Sequence, residues 1–343
     1  MKKIKTHLIF ALLVALAATA FNSSAQATLF TFTNTADTNW FVAANWSPNG
    51  IPGSQDTAVI TRGTVGISDV ATVGNLNLSG GTLSAPFGLT IASGGNLTGG
   101  VLQGQVTVGP AANLTLNGTG LAGTNTLAGT MNWLAGAISG GFVISSSGVL
   151  NLSGAGQVTQ YAWLTNSGHI VWNGSGDWLL YNDGSANLGR INNLPGGVID
   201  AQCNNTMRYQ YGAEWFSNSG LLRKTMSTNT TTIDVIFTNT ATGTVSVQSG
   251  EMDFSFANGS YGGIFEAANG TALKFNAGGV LSGSFTAGFG ADISFHGGTF
   301  SEASAPAFGG AGTVELNGGT LALQNELNPN LQLNGGTINL PPG

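Results

Sequence analysis

Apolar and polar residues alternate in short bursts along most of this chain, and the bursts repeat. VELNGGTLAL runs from Val314 to Leu323, and LQLNGGTINL runs from Leu331 to Leu340. The same phrase, apolar alternation followed by Gly-Gly and another alternating piece, recurs as LNLSGGTL (Leu76 to Leu83), LKFNAGGVL (Leu273 to Leu281) and ISFHGGTF (Ile293 to Phe300). Period-two alternation predicts half-buried strands, and a glycine pair permits the positive φ of a sharp corner. Towards the C-terminal end the pairs begin at Gly278, Gly297, Gly318 and Gly335.

A second phrase marks the middle. Leu164-Thr-Asn166, Ile191-Asn-Asn193, Phe216-Ser-Asn218 and Phe237-Thr-Asn239 each place an apolar residue two before Asn, with a glycine within four residues after it. Asn and Gly tolerate left-handed backbone, so this reads as one turn written four times. Turn chemistry that recurs every ~20–25 residues, with two or three short strands between, is the signature of stacked coils. The fold expected is all-β, a right-handed parallel β-helix of about 15 coils and ~70 Å, with like residues stacked on like. Leu316 and Leu333 should then stack inward, with Asn ladders at the turns. An antiparallel sandwich is the rival architecture.

The first residues read differently. Lys2, Lys3 and Lys5 precede the apolar run Leu8 to Ala18 and an Ala25-Gln26-Ala27 cleavage pattern. That run is too short to span a bilayer, so residues 1–27 read as a secretory signal peptide and the mature protein as exported, without a transmembrane segment. The organisation expected thereafter is an N-terminal cap and first strand (28–62), solenoid coils (63–160), aromatic- and charge-richer coils (161–236) and C-terminal coils (237–343). Only Pro341-Pro342-Gly343 follow the last phrase, so the coils are expected either to continue beyond residue 343 or to associate end to end.

Composition narrows the partners. Charged residues are 7% of the chain, against about 25% in an ordinary domain, and glycine contributes 54 of 343 residues. Without the signal peptide, six basic residues face fifteen acidic ones, a net charge of −9. This excludes a nucleic-acid or anionic-membrane partner, since both need basic patches. Cys203 is alone, which leaves no intramolecular disulfide, and a buried inert thiol is expected.

The stretch NWFVAANWSPNGIPGSQDTAVI, Asn39 to Ile60, resembles the start of exported bacterial β-helix surface proteins of the autotransporter and adhesin repeat type. Paired Asn-Trp elements there lead to a Pro-Gly turn and a first strand, matched here by Asn39-Trp40, Asn45-Trp46, Pro52-Gly53 and Asp56 to Ile60. SNSGLLRKT and FTNTATGTVSVQSGEMDF, between Phe216 and Phe254, resemble the repeats of the same proteins. The resemblance implies a surface or matrix interaction role, which such folds share with enzymes and passive stalks.

Candidate chemistry is sparse. His169 and His296 lie far apart, no metal-binding or G-x-S-x-G motif occurs, and no nearby acid is expected to orient either histidine. No metal or other cofactor is expected. One region stands out: Tyr161 to Lys224 holds Trp163, Trp172, Trp178 and Trp215, four of the five tyrosines, and Arg190, Arg208, Arg223 and Lys224. Aromatic planes beside charged groups suit carbohydrate, whose C–H faces pack on rings while hydroxyls bond to charges. Trp172, Trp178, Tyr181, Arg190, Arg208 and Trp215 are therefore the candidate ligand-binding residues for a glycan or other cell-surface or matrix polymer. Spacing alone also allows Asp177 to meet Asp200, and Arg190 to meet Arg208, one coil apart. The function expected is an adhesin-like interaction protein without catalytic residues; the alternative is a polysaccharide lyase or glycoside hydrolase on the same scaffold.

Overall fold

The computed structural model describes residues 26–340. The signal-peptide reading lies outside the described residues, apart from Gln26 and Ala27 of its cleavage pattern. Among the described residues the chain is a β-solenoid: all-β, with one three-residue 3-10 helix, and parallel ladders in about 13 coils of ~21 residues. At about 4.8 Å per coil the stack is about 60 Å long. The count falls short of 15 because the middle coils are longer, and because residues up to 56 form only one strand of the parallel ladder, Leu29–Phe32.

One coil illustrates the design. Trp163–Asn166 is followed by a tight Asn166-Ser167-Gly168 turn, then His169–Trp172, a corner, and Trp178–Leu180. Each strand pairs in parallel with the strand three places further on: Trp163–Asn166 with Arg190–Asn193, His169–Trp172 with Val198–Ala201, and Trp178–Leu180 with Thr206–Arg208. Three strands per coil thus give three parallel faces around one core.

Alternation fixes what fills that core. Met131, Leu150, Ile170, Ile199, Leu222, Val245, Phe265 and Phe285 occupy one continuous inward column and are all buried. Downstream the inward residues become phenylalanine: Phe265 stacks on Phe285 at 4.9 Å, and Phe254 and Phe295 stack on either side of Phe275. Burying columns like these, at about 25 cal/mol per Å² of apolar surface, is the main stabilising term. The two C-terminal phrases stack as expected, with Leu316 on Leu333 and Leu321 on Ile338. Leu316 is buried; Leu333, in the last described coil, is not.

The Asn turns form a ladder inside the protein. Asn166, Asn193, Asn218 and Asn239 are buried, and each of the first three donates from Nδ2 to Oδ1 of the next at 2.7 Å. Asn239 ends the series by donating to the Gly262 carbonyl. At the other end of the chain Trp40 and Trp46 are buried edge-to-face, and Trp46 Nε1 donates to the Trp40 carbonyl at 2.8 Å.

Candidate aromatic platform

The corner between Trp178–Leu180 and Arg190–Asn193 carries an eight-residue excursion, residues 182–189. Its geometry is set by Glu214, which is buried although charged. Glu214 Oε1 accepts backbone N–H groups from Asn182 (3.0 Å), Gln210 (3.1 Å) and Tyr211 (3.0 Å), and Oε2 accepts Gly212 N–H at 2.7 Å. Burial alone would raise its pKa; the backbone donors outweigh burial and hold it below the ordinary value. One carboxylate thereby pins the excursion to the loop three strands later, at the same corner of the next coil.

Two outward columns flank this corner. Tyr161, Tyr181 and Tyr211 form the first, with centroids 4.7 and 5.1 Å apart and Tyr181 Oη 2.9 Å from Tyr211 Oη. That hydrogen bond, chiefly, raises the Tyr181 hydroxyl pKa to about 12, so it stays protonated. Trp163, Arg190 and Trp215 form the second, on three successive coils in register. The Arg190 guanidinium carbon lies 5.7 Å from the Trp163 ring and 5.6 Å from the Trp215 ring, and the two rings meet edge-to-face at 6.2 Å. The three groups make a near-equilateral triangle held by cation–π attraction. Trp163 and Tyr211 remain 42% and 60% exposed, so the surface presents open rings.

Of the six candidate residues, Arg190, Trp215 and Tyr181 meet here. Trp172 and Trp178 do not. They do face the same side, 5.9 Å apart and edge-to-face, but that side is the core, where both are buried. Trp172 shares its strand's inward parity with Ile170, and Trp178 Nε1 is satisfied by Gln160 Oε1 at 2.9 Å. Neither ring is available to a ligand. Arg208 precedes the corner and is held by Asp177 at 3.1 Å. The pairings allowed by spacing are replaced by Arg208–Asp177 and Arg223–Asp200, the latter at 2.9 Å: the 182–189 excursion lengthens the coil after Asp177, so that Trp178 aligns with Met207, and Arg190 aligns with Trp215 in place of Arg208.

Trp163, Tyr161 and Tyr211 are the members that the candidate set omitted. A signal existed: Trp163, Arg190 and Trp215 each stand three residues before a ladder asparagine, so aligning the turns places them in one column. The tyrosine column has no such marker.

Other chemistry is already occupied. Asp292, Ser294 and His296 lie in a row, but Ser294 Oγ donates to Asp292 at 2.7 Å and sits between the acid and His296 Nε2. This is not the acid–imidazole–hydroxyl order a hydrolytic triad needs, and Ser294 is buried. His296 thus does have an acid nearby, against the expectation, but Asp292 reaches it only through Ser294. Cys203 is buried, and burial raises its pKa. A shallow groove of about 380 Å³ crosses the N-terminal coils, lined by uncharged Asn, Thr and Gly, among them Asn75, Asn96 and Asn132. No helix among the described residues is long and apolar enough to cross a membrane.

The fold and the platform define the class, a parallel β-solenoid with an aromatic corner. Comparison with family profiles, curated proteins and solved structures gives no match to this chain.

Proposed function

We propose that this is an exported surface or matrix interaction protein whose solenoid displays the aromatic corner to a polysaccharide chain. The observation that carries the reading is the pair of adjacent columns, Tyr161–Tyr181–Tyr211 and Trp163–Arg190–Trp215, spread over three coils. Rings spaced along a rigid axis suit a polymer better than a small ligand, since successive sugar faces find successive rings. The positive start and apolar run of residues 1–27 support export, and the resemblance of Asn39 to Ile60 and Phe216 to Phe254 supports a bacterial surface setting.

Binding is favoured over glycan cleavage by the state of the carboxylates at the corner. A glycosidase needs two carboxyl groups flanking the scissile bond. Glu214 is buried and saturated by four backbone N–H groups. Asp183 is locked in its own loop, accepting from Ser185 and Asn187, chiefly the Ser185 backbone, which lowers its pKa to about 2.

The test is a glycan-array screen followed by affinity electrophoresis on the hits. Trp163→Ala and Trp215→Ala should each weaken binding about tenfold, the loss of roughly 1–2 kcal/mol for one stacking ring. Phe289→Ala, which removes an exposed ring distant from the corner, should leave it unchanged. Folded Trp163 and Trp215 variants with undiminished affinity would place binding elsewhere.

A further inference from the structure

We infer that Arg190 is the receptor for a carboxylate on the bound sugar, so that the platform takes a uronic-acid polysaccharide. The inference rests on the platform's binding a glycan at all, and deepens it.

Residues 26–340 contain six basic residues. Arg208, Arg223 and Lys274 each sit in an ion pair. Lys224 is buried and donates to the Cys203 carbonyl, Ser227 and Thr231. Arg62 lies in the first coils, far from the corner. Arg190 alone joins the aromatic platform, and no carboxylate among the described residues pairs with it.

Its position is not that of a solvated surface arginine. Trp163 and Trp215 cover it, and its Nε is buried without a partner. The terminal nitrogens are neither buried nor bonded to any side chain, so the free edge of the fork faces solvent. A guanidinium held in place by two rings on one side, with its Nε buried, offers two parallel N–H donors to a planar anion, the geometry a carboxylate fills. Asp183, the acid of the adjacent excursion, does not fill it, because its oxygens already accept from Ser185 and Asn187. A carboxylate attached to a sugar places that sugar's C–H face within reach of the exposed Trp163 ring, so one residue of the polymer engages charge and ring together.

The acidic balance of the chain sharpens the test, since a polyanion finds little else to hold it. Binding of sodium polygalacturonate would be compared with that of its fully methyl-esterified form, which keeps the backbone and loses the charge. The full chain would be measured as wild type, Arg190→Gln, Arg190→Lys and Trp163→Ala, with circular dichroism and thermal melting as controls for folding. The expected result is acid-form binding at least tenfold tighter than ester binding, that preference lost in Arg190→Gln and partly restored in Arg190→Lys, with Trp163→Ala weakening both polymers. Equal binding of both polymers, unaffected at Arg190 but weakened by Trp163→Ala, overturns the carboxylate assignment and leaves the platform standing. Binding of neither polymer by folded wild type overturns the carboxylate assignment; if the array also yields no glycan, the platform reading falls with it.

Discussion

One corner of this solenoid is built twice. In the N-terminal coils its outward column reads Gln105, Thr124 and Gly141, and in the middle coils the same column continues as Trp163, Arg190 and Trp215. The corner itself changes in step. Gly104, Gly123 and Gly140 turn the N-terminal coils with φ of 117°, 97° and 80°. The middle coils put Ala162 and then the 182–189 excursion at that place. Glycine lets one coil lie against the next with nothing between, so the strands run through their corners almost without interruption, as in Ala71–Val108. Where the corner opens, space appears for side chains, and the backbone groups that close packing had satisfied need new partners. Glu214 supplies them at the excursion, and the Asn ladder at the next turn. A bare, regular stretch and a decorated, irregular one are thus the same architecture under different corner rules.

The largest effect should come from filling the bare corner. A Cβ on Gly123 would lie 2.1 Å from the Gly104 carbonyl oxygen, in a backbone conformation that L residues rarely adopt. No flexible side chain can yield there. Gly123→Ala is expected to cost roughly 4 kcal/mol or more, combining left-handed strain with overpacking, read by urea denaturation. Gly156→Ala, where a Cβ meets nothing, should cost little. Equal midpoints for the two variants would break the claim that glycine is needed for close stacking.

The ladder should be next. Asn193→Ala takes the acceptor from Asn166 Nδ2 and the donor from Asn218 Oδ1. At about 1–3 kcal/mol for each buried group left wanting, a loss near 3 kcal/mol is expected. Changing all four ladder residues to Leu removes both sides of every side-chain pair and should cost less than four separate losses imply. The fold already shows apolar occupants in this column: Asn239 is followed by Tyr261 and Leu281, both buried. A quadruple variant as unstable as the summed singles would show that the amides' bonds to main-chain carbonyls outweigh those between neighbours.

These cases show what was legible in the chain. Asn166, Asn193, Asn218 and Asn239 announced a repeated turn, and register followed because like had to stack on like. The Gly-Gly phrase gave corners at Gly298, Gly319 and Gly336, each with positive φ. The platform was only half legible. Alternation places Trp172 and Trp178 on one side, but in a run such as Ile170-Val171-Trp172 it does not say which side is the core. Arg190 and Trp215 were found by composition and not by register. Glu214 carried no side-chain mark, because three of its partners are backbone N–H groups of its own loop and the fourth, Asn182 N–H, lies 32 residues away and is brought to it only by the coil.

The smallest effects are electrostatic, and they take opposite signs in two places. Glu214, in the decorated stretch, has its pKa held below the ordinary carboxylate value by the backbone donors despite burial. Its contribution is therefore present above the unfolded pKa of about 4.3 and is lost as pH falls through the folded value. Asp253 belongs to the regular coils downstream, where burial first, and then Glu251 beside it, raise its pKa to about 6. Its ionised form is disfavoured by folding, so stability is full below the unfolded value of about 3.9 and declines as pH rises through about 6. Denaturation midpoints measured from pH 3 to pH 8 should therefore respond differently to two variants. Glu214→Gln turns an amide donor either towards the Gly212 N–H or towards those of Asn182, Gln210 and Tyr211, and should lower the midpoint at pH 7 while flattening the acid limb. Asp253→Asn should raise the midpoint at pH 7, leave it little changed near pH 3, and remove the decline between pH 4 and pH 6. An Asp253→Asn profile parallel to wild type across that window would mean that Lys274, paired with Glu251 at 2.6 Å, already neutralises this part of the face. The regular coils would then tolerate a half-buried acid as readily as the decorated corner tolerates Glu214, and the contrast between the two regions would be one of corners alone.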